Sequence, residues 1–276
     1  MAENMCRDLI EAVKQDNIAC VIRLLREGKD PNVRDEFGKT PLHYAVLQNP
    51  ATVKILLKYG ADPDVADDSG TTPLHVASMF GLYDVVKLLL SHKKRLNVNV
   101  QDEGGATPLH LAATRCNPNV VWFLLMNGAN PNIRDNTGNT PLHSAVLIRP
   151  CADVVKILLE AGADPNARTK FGNTPLHYAA THGDPRVVSL MLKHGADPNA
   201  QNHKGSTPLH NAVMRKRVDA IKILLQHGAD PTIPDNEGKT PIDYAREAGH
   251  ADIVKILTEK TTTGKTTTRR RKAVPA

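Results

Sequence analysis

The sequence is poor in aromatic residues: Phe, Trp and Tyr make up 4% of its 276 residues, and only one residue is Trp. It has no apolar run of about 18 residues, the minimum for a membrane-spanning helix. The N-terminal segment MAENMCRDLIEAVKQ is too rich in charge to be a secretory signal peptide. We therefore expect a cytoplasmic protein with a core of aliphatic side chains and no membrane span.

Cysteine is also scarce. The four cysteines lie at positions 6, 20, 116 and 151, and no two of them have the C-x-x-C spacing of metal-binding or redox motifs. We predict four reduced thiols in a reducing compartment.

Acidic residues are absent from positions 260–276, a Thr-rich segment with six basic residues: Lys260, Lys265, Arg269, Arg270, Arg271 and Lys272. Removing these six from the 35 basic residues of the chain leaves 29, which equals the 29 acidic residues. All the net charge of +6 thus lies in this segment. We predict a disordered basic tail. The alternatives are a nuclear address at Arg269–Lys272 if the host is eukaryotic, a phosphorylation site, or a tether to nucleic acid or another anionic surface.

The most regular feature is the tetrapeptide TPLH. It begins at Thr40, Thr72, Thr107, Thr140, Thr174 and Thr207, and a TPID variant begins at Thr240, so that the steps are 32, 35, 33, 34, 33 and 33 residues. A period of about 33 residues containing T-P-L-H-x-A is typical of stacked helix pairs. Thr suits the N-cap and Pro the first position of the first helix in each pair. The glycines after the second helix, such as Gly60 and Gly228, suit a left-handed C-terminal cap.

A full unit reads DNTGNTPLHSAVLIRPCADVVKILLEAGADPNA, residues 135–167. In this motif the chain resembles the ankyrin-repeat family. The resemblance implies an all-α solenoid of about eight helix-turn-helix units joined by β-hairpin-like turns. The predicted array covers residues 1–259, with a capping repeat at 4–34, internal repeats at 35–66, 67–101, 102–134, 135–167, 168–201 and 202–234, and a C-terminal capping repeat at 235–259.

The six TPLH histidines, the first of which is His43, do not predict a metal site. One repeat apart is too far for them to share an ion, and the resemblance implies that each bonds locally and bridges to the next unit. We find no nucleophile elbow, H-E-x-x-H or other catalytic motif. The sequence therefore predicts a monomeric protein that is not an enzyme and needs no cofactor or metal. It would act as a protein-binding adaptor, scaffold or inhibitor.

The resemblance also implies where a partner binds: on a concave face lined by the turn tips and by the ends of the first helices. The predicted binding residues there are Phe37, Leu47, Met79, Phe80, Arg115, Leu147, Ile148, Phe171, His182, Met214 and Arg215, with Arg149 at the rim. Met, Phe and Arg are enriched at interfaces. The alternative is that individual apolar members pack into the gaps between units.

Two further positions depart from the repeat. Trp122 occupies a second-helix position that is Lys in five other units, so it is either an exposed anchor on the outer face or a residue that packs on its neighbour. Residues 91–105 are longer than the matching segments, which predicts that His92–Arg95 forms a protruding basic loop. That loop is either a specificity element or a tolerated insertion.

Overall fold

The computed structural model describes residues 6–92 and 96–259, which contain sixteen α-helices and no β-strand. The chain divides into two compact units, Met1–Asn136 and Thr137–Ala276. The predicted all-α repeat solenoid is confirmed. The predicted tail at 260–276 and the loop residues 93–95 lie outside the described residues.

In the first unit the helices are α1 (Leu9–Lys14), α2 (Ile18–Arg26), α3 (Pro41–Gln48), α4 (Pro50–Lys58), α5 (Pro73–Met79), α6 (Tyr83–His92), α7 (Pro108–Thr114) and α8 (Pro118–Met126). In the second they are α9 (Pro141–Leu147), α10 (Ala152–Glu160), α11 (Pro175–His182), α12 (Pro185–Lys193), α13 (Pro208–Met214), α14 (Val218–Gln226), α15 (Pro241–Glu247) and α16 (251–259). We call the odd-numbered helices inner and the even-numbered helices outer.

The inner helices from α3 to α15 begin as the sequence predicts, with Thr at the N-cap and Pro in the first turn. Thr72 is the N-cap of α5, Pro73 occupies its first turn, and the side chain of Thr72 accepts a hydrogen bond from the N–H of His75. In return, the N–H of Thr72 donates to His75 Nδ1 at 3.1 Å. This reciprocal capping box satisfies two backbone groups that a helix start otherwise leaves unpaired.

The core forms because no helix pair can bury its apolar face alone. In the first unit α5 packs on α6 and on α7, and in the second α11 packs on α12 and on α13. Leu42, Leu56, Leu176 and Val188 have no exposed surface. Burying a Leu or Val side chain stabilises a fold by about 1.5–3 kcal/mol, so neighbouring pairs depend on one another.

The turn tips join successive pairs by backbone hydrogen bonds. Glu103 N–H donates to Ser69 O at 2.9 Å in the first unit, and His203 N–H donates to Phe171 O at 3.0 Å in the second. A close approach of this kind requires glycine at the tip: Gly70 has φ +73°, and a Cβ there would lie 2.9 Å from the backbone N of Glu103. Because the described residues form turns and no strands, the β-hairpin-like character of these turns stays a prediction.

The prediction of reduced thiols is wrong. Cys6, just before α1, and Cys20 in α2 form a disulfide with Cα atoms 5.7 Å apart. No described cysteine is a free thiol. Sequence spacing misled us because α1 and α2 fold back on one another and bring together residues that are 14 positions apart. Localisation in the cytoplasm stays a prediction.

Candidate functional site

The predicted helix-end residues are mostly exposed. In the first unit Leu47 is 49% and Phe80 55% exposed, whereas Met79 is half-buried and Arg115 is exposed. In the second unit Leu147 is 40%, Ile148 68% and Met214 58% exposed. Arg215 is exposed and His182 is half-buried. We call these residues the helix-end surface of their unit. Met79 is thus partly packed, in agreement with the alternative that apolar members fill gaps between repeats. The other large apolar side chains of these surfaces are exposed.

The two phenylalanines at the turn tips are also exposed, Phe37 at 59% and Phe171 at 67%. The tip that carries Phe37 is held by Asp35, whose carboxylate accepts the N–H of Phe37 at 3.0 Å and that of Lys39 at 2.9 Å. Tyr44 donates its hydroxyl to the other oxygen of Asp35 at 2.5 Å. Burial by itself would raise the pKa of Asp35, but these hydrogen bonds outweigh burial and leave the pKa below its ordinary value. The carboxylate therefore stays ionised. The exposed ring therefore stands on a rigid turn.

Trp122 lies away from this surface. It is 50% exposed on the outer helix α8, and Met126, one turn further along the same helix, is 67% exposed. The neighbouring Phe123 packs edge-on against Tyr83 of α6, with ring centroids 5.3 Å apart. Trp122 therefore presents about half of its surface to solvent on the outer face, and any contact that it makes is separate from the helix-end surface.

In the second unit, the helix-end surface contains a cleft of about 510 Å³. We call it the 148–186 cleft, and it is lined by Ile148, Arg149, Pro150, His182, Gly183, Asp184, Pro185 and Arg186. The imidazole Nε2 of His182 lies 3.0 Å from the carbonyl oxygen of Leu147. This bond ties the end of α11 to the end of α9 and brings together the predicted residues Ile148 and His182.

Met214 and Arg215 continue this surface on the next inner helix, because α13 packs beside α11. The connection is held by Arg217, whose Nε donates to the carbonyl oxygen of Thr181 at 3.0 Å. The stem of Arg217 lies so close to Gly183 that a Cβ there would be 2.6 Å from its Cδ. The ends of α11 and α13 are thus fixed side by side.

Sequence reasoning missed several residues of this cleft, in particular Asp184 and Arg186. One signal was available: Thr140 and Thr174 are 34 residues apart, whereas Thr174 and Thr207 are 33 apart. The extra residue lies in the connection between α9 and α10, which has four residues. The equivalent connection between α13 and α14 has three. Insertions in repeat arrays lie in surface loops, often on the binding face.

A second cleft, of about 420 Å³, lies on the outer helices of the first unit. It is lined by Lys54, Leu57, Lys58, Leu88, Ser91 and His92. The predicted basic loop His92–Arg95 begins here: α6 is one residue longer than α4 and ends at His92, and the rest of the loop lies outside the described residues.

The TPLH histidines are structural. The Nε2 of His43 lies 3.0 Å from the carbonyl oxygen of Thr71, and that of His210 lies 3.1 Å from the carbonyl oxygen of Lys239. Each of these bonds reaches into the next repeat, as the family resemblance implied. Burial lowers the pKa of both histidines more than the bonded carbonyls raise it, so they are neutral at neutral pH. Within residues 6–92 and 96–259 no three His, Cys, Asp or Glu side chains are grouped to hold a metal ion.

No helix in the described part of the chain is long and apolar enough to cross a membrane. No curated protein matches the chain. The family model for ankyrin repeats (3 copies) matches residues 9–102, 94–169, 150–235 and 176–269. These overlapping matches cover nearly all of the described sequence and agree with the capped, paired helices and the bridging histidines. The chain therefore belongs to the ankyrin-repeat family.

Proposed function

We propose that this protein is a non-catalytic adaptor, scaffold or inhibitor that binds another protein through its helix-end surfaces and turn tips, the concave face of the family. Ankyrin repeats are generally protein-interaction modules. The observation that supports this role most directly is the exposure of Phe80 and Ile148 at the ends of inner helices. Large apolar side chains grouped with arginine on an exposed surface are typical of interaction sites.

Rigidity supports the same role. Capping boxes, bridging histidines and tip-to-tip hydrogen bonds satisfy the backbone around these side chains. A surface of this kind loses little conformational entropy when it binds, so a modest contact area gives useful affinity. Most of the binding free energy would come from the large apolar side chains that the partner covers, and the polar rim would contribute less.

The test uses the full chain with a photo-crosslinking amino acid at Phe80 or Ile148, expressed in the native host. Lys222, which is exposed on the outer helix α14, is the control position. We expect a partner protein to crosslink at the first two positions and not at the third. Calorimetry with that partner should then show weaker binding for Phe80→Ala and Ile148→Ala at unchanged helicity. Equal crosslinking at all three positions, or equal affinity of the variants and the parent, would contradict the proposal.

A second candidate function rests on the charge of residues 260–276, which hold six basic residues and no acid. Through these residues the chain would act as a tether to nucleic acid or another anionic surface. Truncation after Lys260 should then abolish binding to an oligonucleotide, and the affinity should fall steeply with salt. Binding that is insensitive to salt and survives truncation excludes this function. A monomeric state and a cytoplasmic location, or a nuclear one in a eukaryotic host, remain predictions.

A further inference from the structure

We propose that the 148–186 cleft binds an acidic segment of a partner protein in which a carboxylate side chain lies next to a large aliphatic side chain. This inference rests on the proposed protein-binding function and specifies the chemistry that the second unit selects. Three observations carry it: an inserted apolar wall, an excess of arginine, and a helix N-terminus that is already capped.

The apolar wall comes from the inserted residue between α9 and α10. Ile148 lies in this connection, and at 68% it is the most exposed large hydrophobic residue among those described. The connection is nevertheless anchored at both ends. Its last residue, Cys151, donates its N–H to Ala145 O at 3.1 Å, and Leu147 O is bonded to His182. The isoleucine is therefore held out by fixed backbone, and covering it with a partner's aliphatic side chain would bury apolar area at little entropic cost.

The charge around the cleft is predominantly positive. Arg149 and Arg186 line it, and the connection between α13 and α14 adds Arg215, Lys216 and Arg217, all exposed. The acidic residues on the same connections and first turns are Asp184, Asp153 and Asp219. The side chain of Arg186 is 77% exposed, and one of its terminal nitrogens lies 3.4 Å from the carboxylate of Asp184. The guanidinium groups therefore keep donors available to a carboxylate, which arginine can bind through two parallel hydrogen bonds.

A phosphate-rich ligand fits less well. Asp184 caps α12 by accepting the N–H of Arg186 at 2.9 Å, so the first amide of that helix is already satisfied. The carboxylate of Asp184 also lies in the cleft and would repel a dense anion more strongly than a single carboxylate. The prolines of the lining, Pro150 and Pro185, and Ile148 favour an amphipathic peptide. Charge complementarity together with an apolar contact thus selects an acidic, aliphatic segment.

The experiment measures fluorescence anisotropy of a short labelled peptide in which glutamate alternates with leucine, titrated with the full chain. We expect saturable binding that is about tenfold weaker for R149E/R186E. R149Q/R186Q should give a smaller loss in the same direction. The matched control is K222E/K255E, which makes the same change in net charge on exposed outer-helix positions and should bind like the parent. Circular dichroism and urea unfolding check that all variants fold.

Two further peptides separate the contributions. A lysine–leucine peptide tests charge and a glutamate–serine peptide tests the apolar contact, and both should bind at least about tenfold more weakly than the glutamate–leucine peptide. The inference is overturned if the parent does not bind the glutamate–leucine peptide, if R149E/R186E binds it equally well, or if R149E/R186E loses more affinity for a single-stranded oligonucleotide than for this peptide. A partner that crosslinks at Ile148 but binds R149E/R186E with unchanged affinity would contradict this inference and would still support the proposed function. Absence of any crosslinked partner would count against the proposed function instead.

Discussion

His177 links two repeats: its Nε2 lies 2.9 Å from the carbonyl oxygen of Ser206, while its Nδ1 accepts the N–H of Thr174 at 3.1 Å. Because an amide N–H can only donate, Nδ1 must be unprotonated and the ring proton must lie on Nε2. The side chain therefore acts as a neutral donor and acceptor in one fixed tautomer. Burial lowers its pKa to about 4, and this favours the neutral form.

Replacing His177 with leucine should lower the free energy of unfolding by about 3 kcal/mol, because the buried N–H of Thr174 and the carbonyl of Ser206 each lose a partner. Urea unfolding followed by circular dichroism measures this change. The control is His203→Leu, at an exposed position, which should change stability by less than about 0.5 kcal/mol. Similar losses in the two variants would show that the buried hydrogen bonds are not the cause.

Acidification should destabilise the protein before its carboxylates titrate. Burial lowers the pKa of His43, His75, His177 and His210. The unfolded state binds protons near the ordinary pKa of 6.5, whereas folded His177 does so only near pH 4. The stabilisation is thus complete above pH 6.5 and is lost as the pH falls below it.

For His177 the loss between these two pH values is about 1 kcal/mol per pH unit. Urea titrations at pH 7, 6 and 5 measure the slope. The His177→Gln variant should show a shallower slope than the parent. A free energy of unfolding that stays constant between pH 6.5 and pH 5 would contradict this mechanism.

The Tyr244–Asp235 hydrogen bond should stabilise the last repeat. Tyr244 donates its hydroxyl to Asp235 at 2.7 Å, and the hydrogen bond and burial together raise the pKa of Tyr244 to about 12. Tyr244→Phe should cost about 1.5 kcal/mol, since the acceptor is charged. Tyr178→Phe is the matched control: its repeat has Thr169 where this one has Asp235, and the hydroxyl of Tyr178 has only a 3.5 Å contact to Asn173. Equal losses in the two variants would refute the assignment.

Ser78 is a site where substitution should not destabilise. Its hydroxyl is buried and has no hydrogen-bond partner among the described residues, whereas the matching position in the next repeat is Ala113. We expect Ser78→Ala to leave stability unchanged or to raise it by up to about 1 kcal/mol, because an unpaired buried hydroxyl is lost. The reciprocal Ala113→Ser variant should lower stability, and thermal unfolding of both measures the pair. A clear loss on Ser78→Ala would mean that the hydroxyl has a bonding role.

The helix starts could be predicted because their causes are local. Thr72, Pro73 and His75 form a capping box within four residues, and any chain with this order can form it. In the last repeat Asp243 replaces the histidine, and its carboxylate still accepts the N–H of Thr240 at 3.0 Å. Asp243 therefore keeps the hydrogen bond within its own helix start. It lacks the ring N–H with which the histidines bond the following repeat, as suits a terminal repeat.

The sequence alone determined the repeat period, the helix pairs, the caps and the family, because hydrogen bonds over three or four residues and the spacing of apolar side chains are written in the order of the residues. Only the tertiary structure decided that Cys6 and Cys20 are paired, that Met79 is half-buried while Phe80 is exposed, and that Ile148 and Arg186 share a cleft. These relations join residues on different helices, and the distance between such residues depends on how the helices pack.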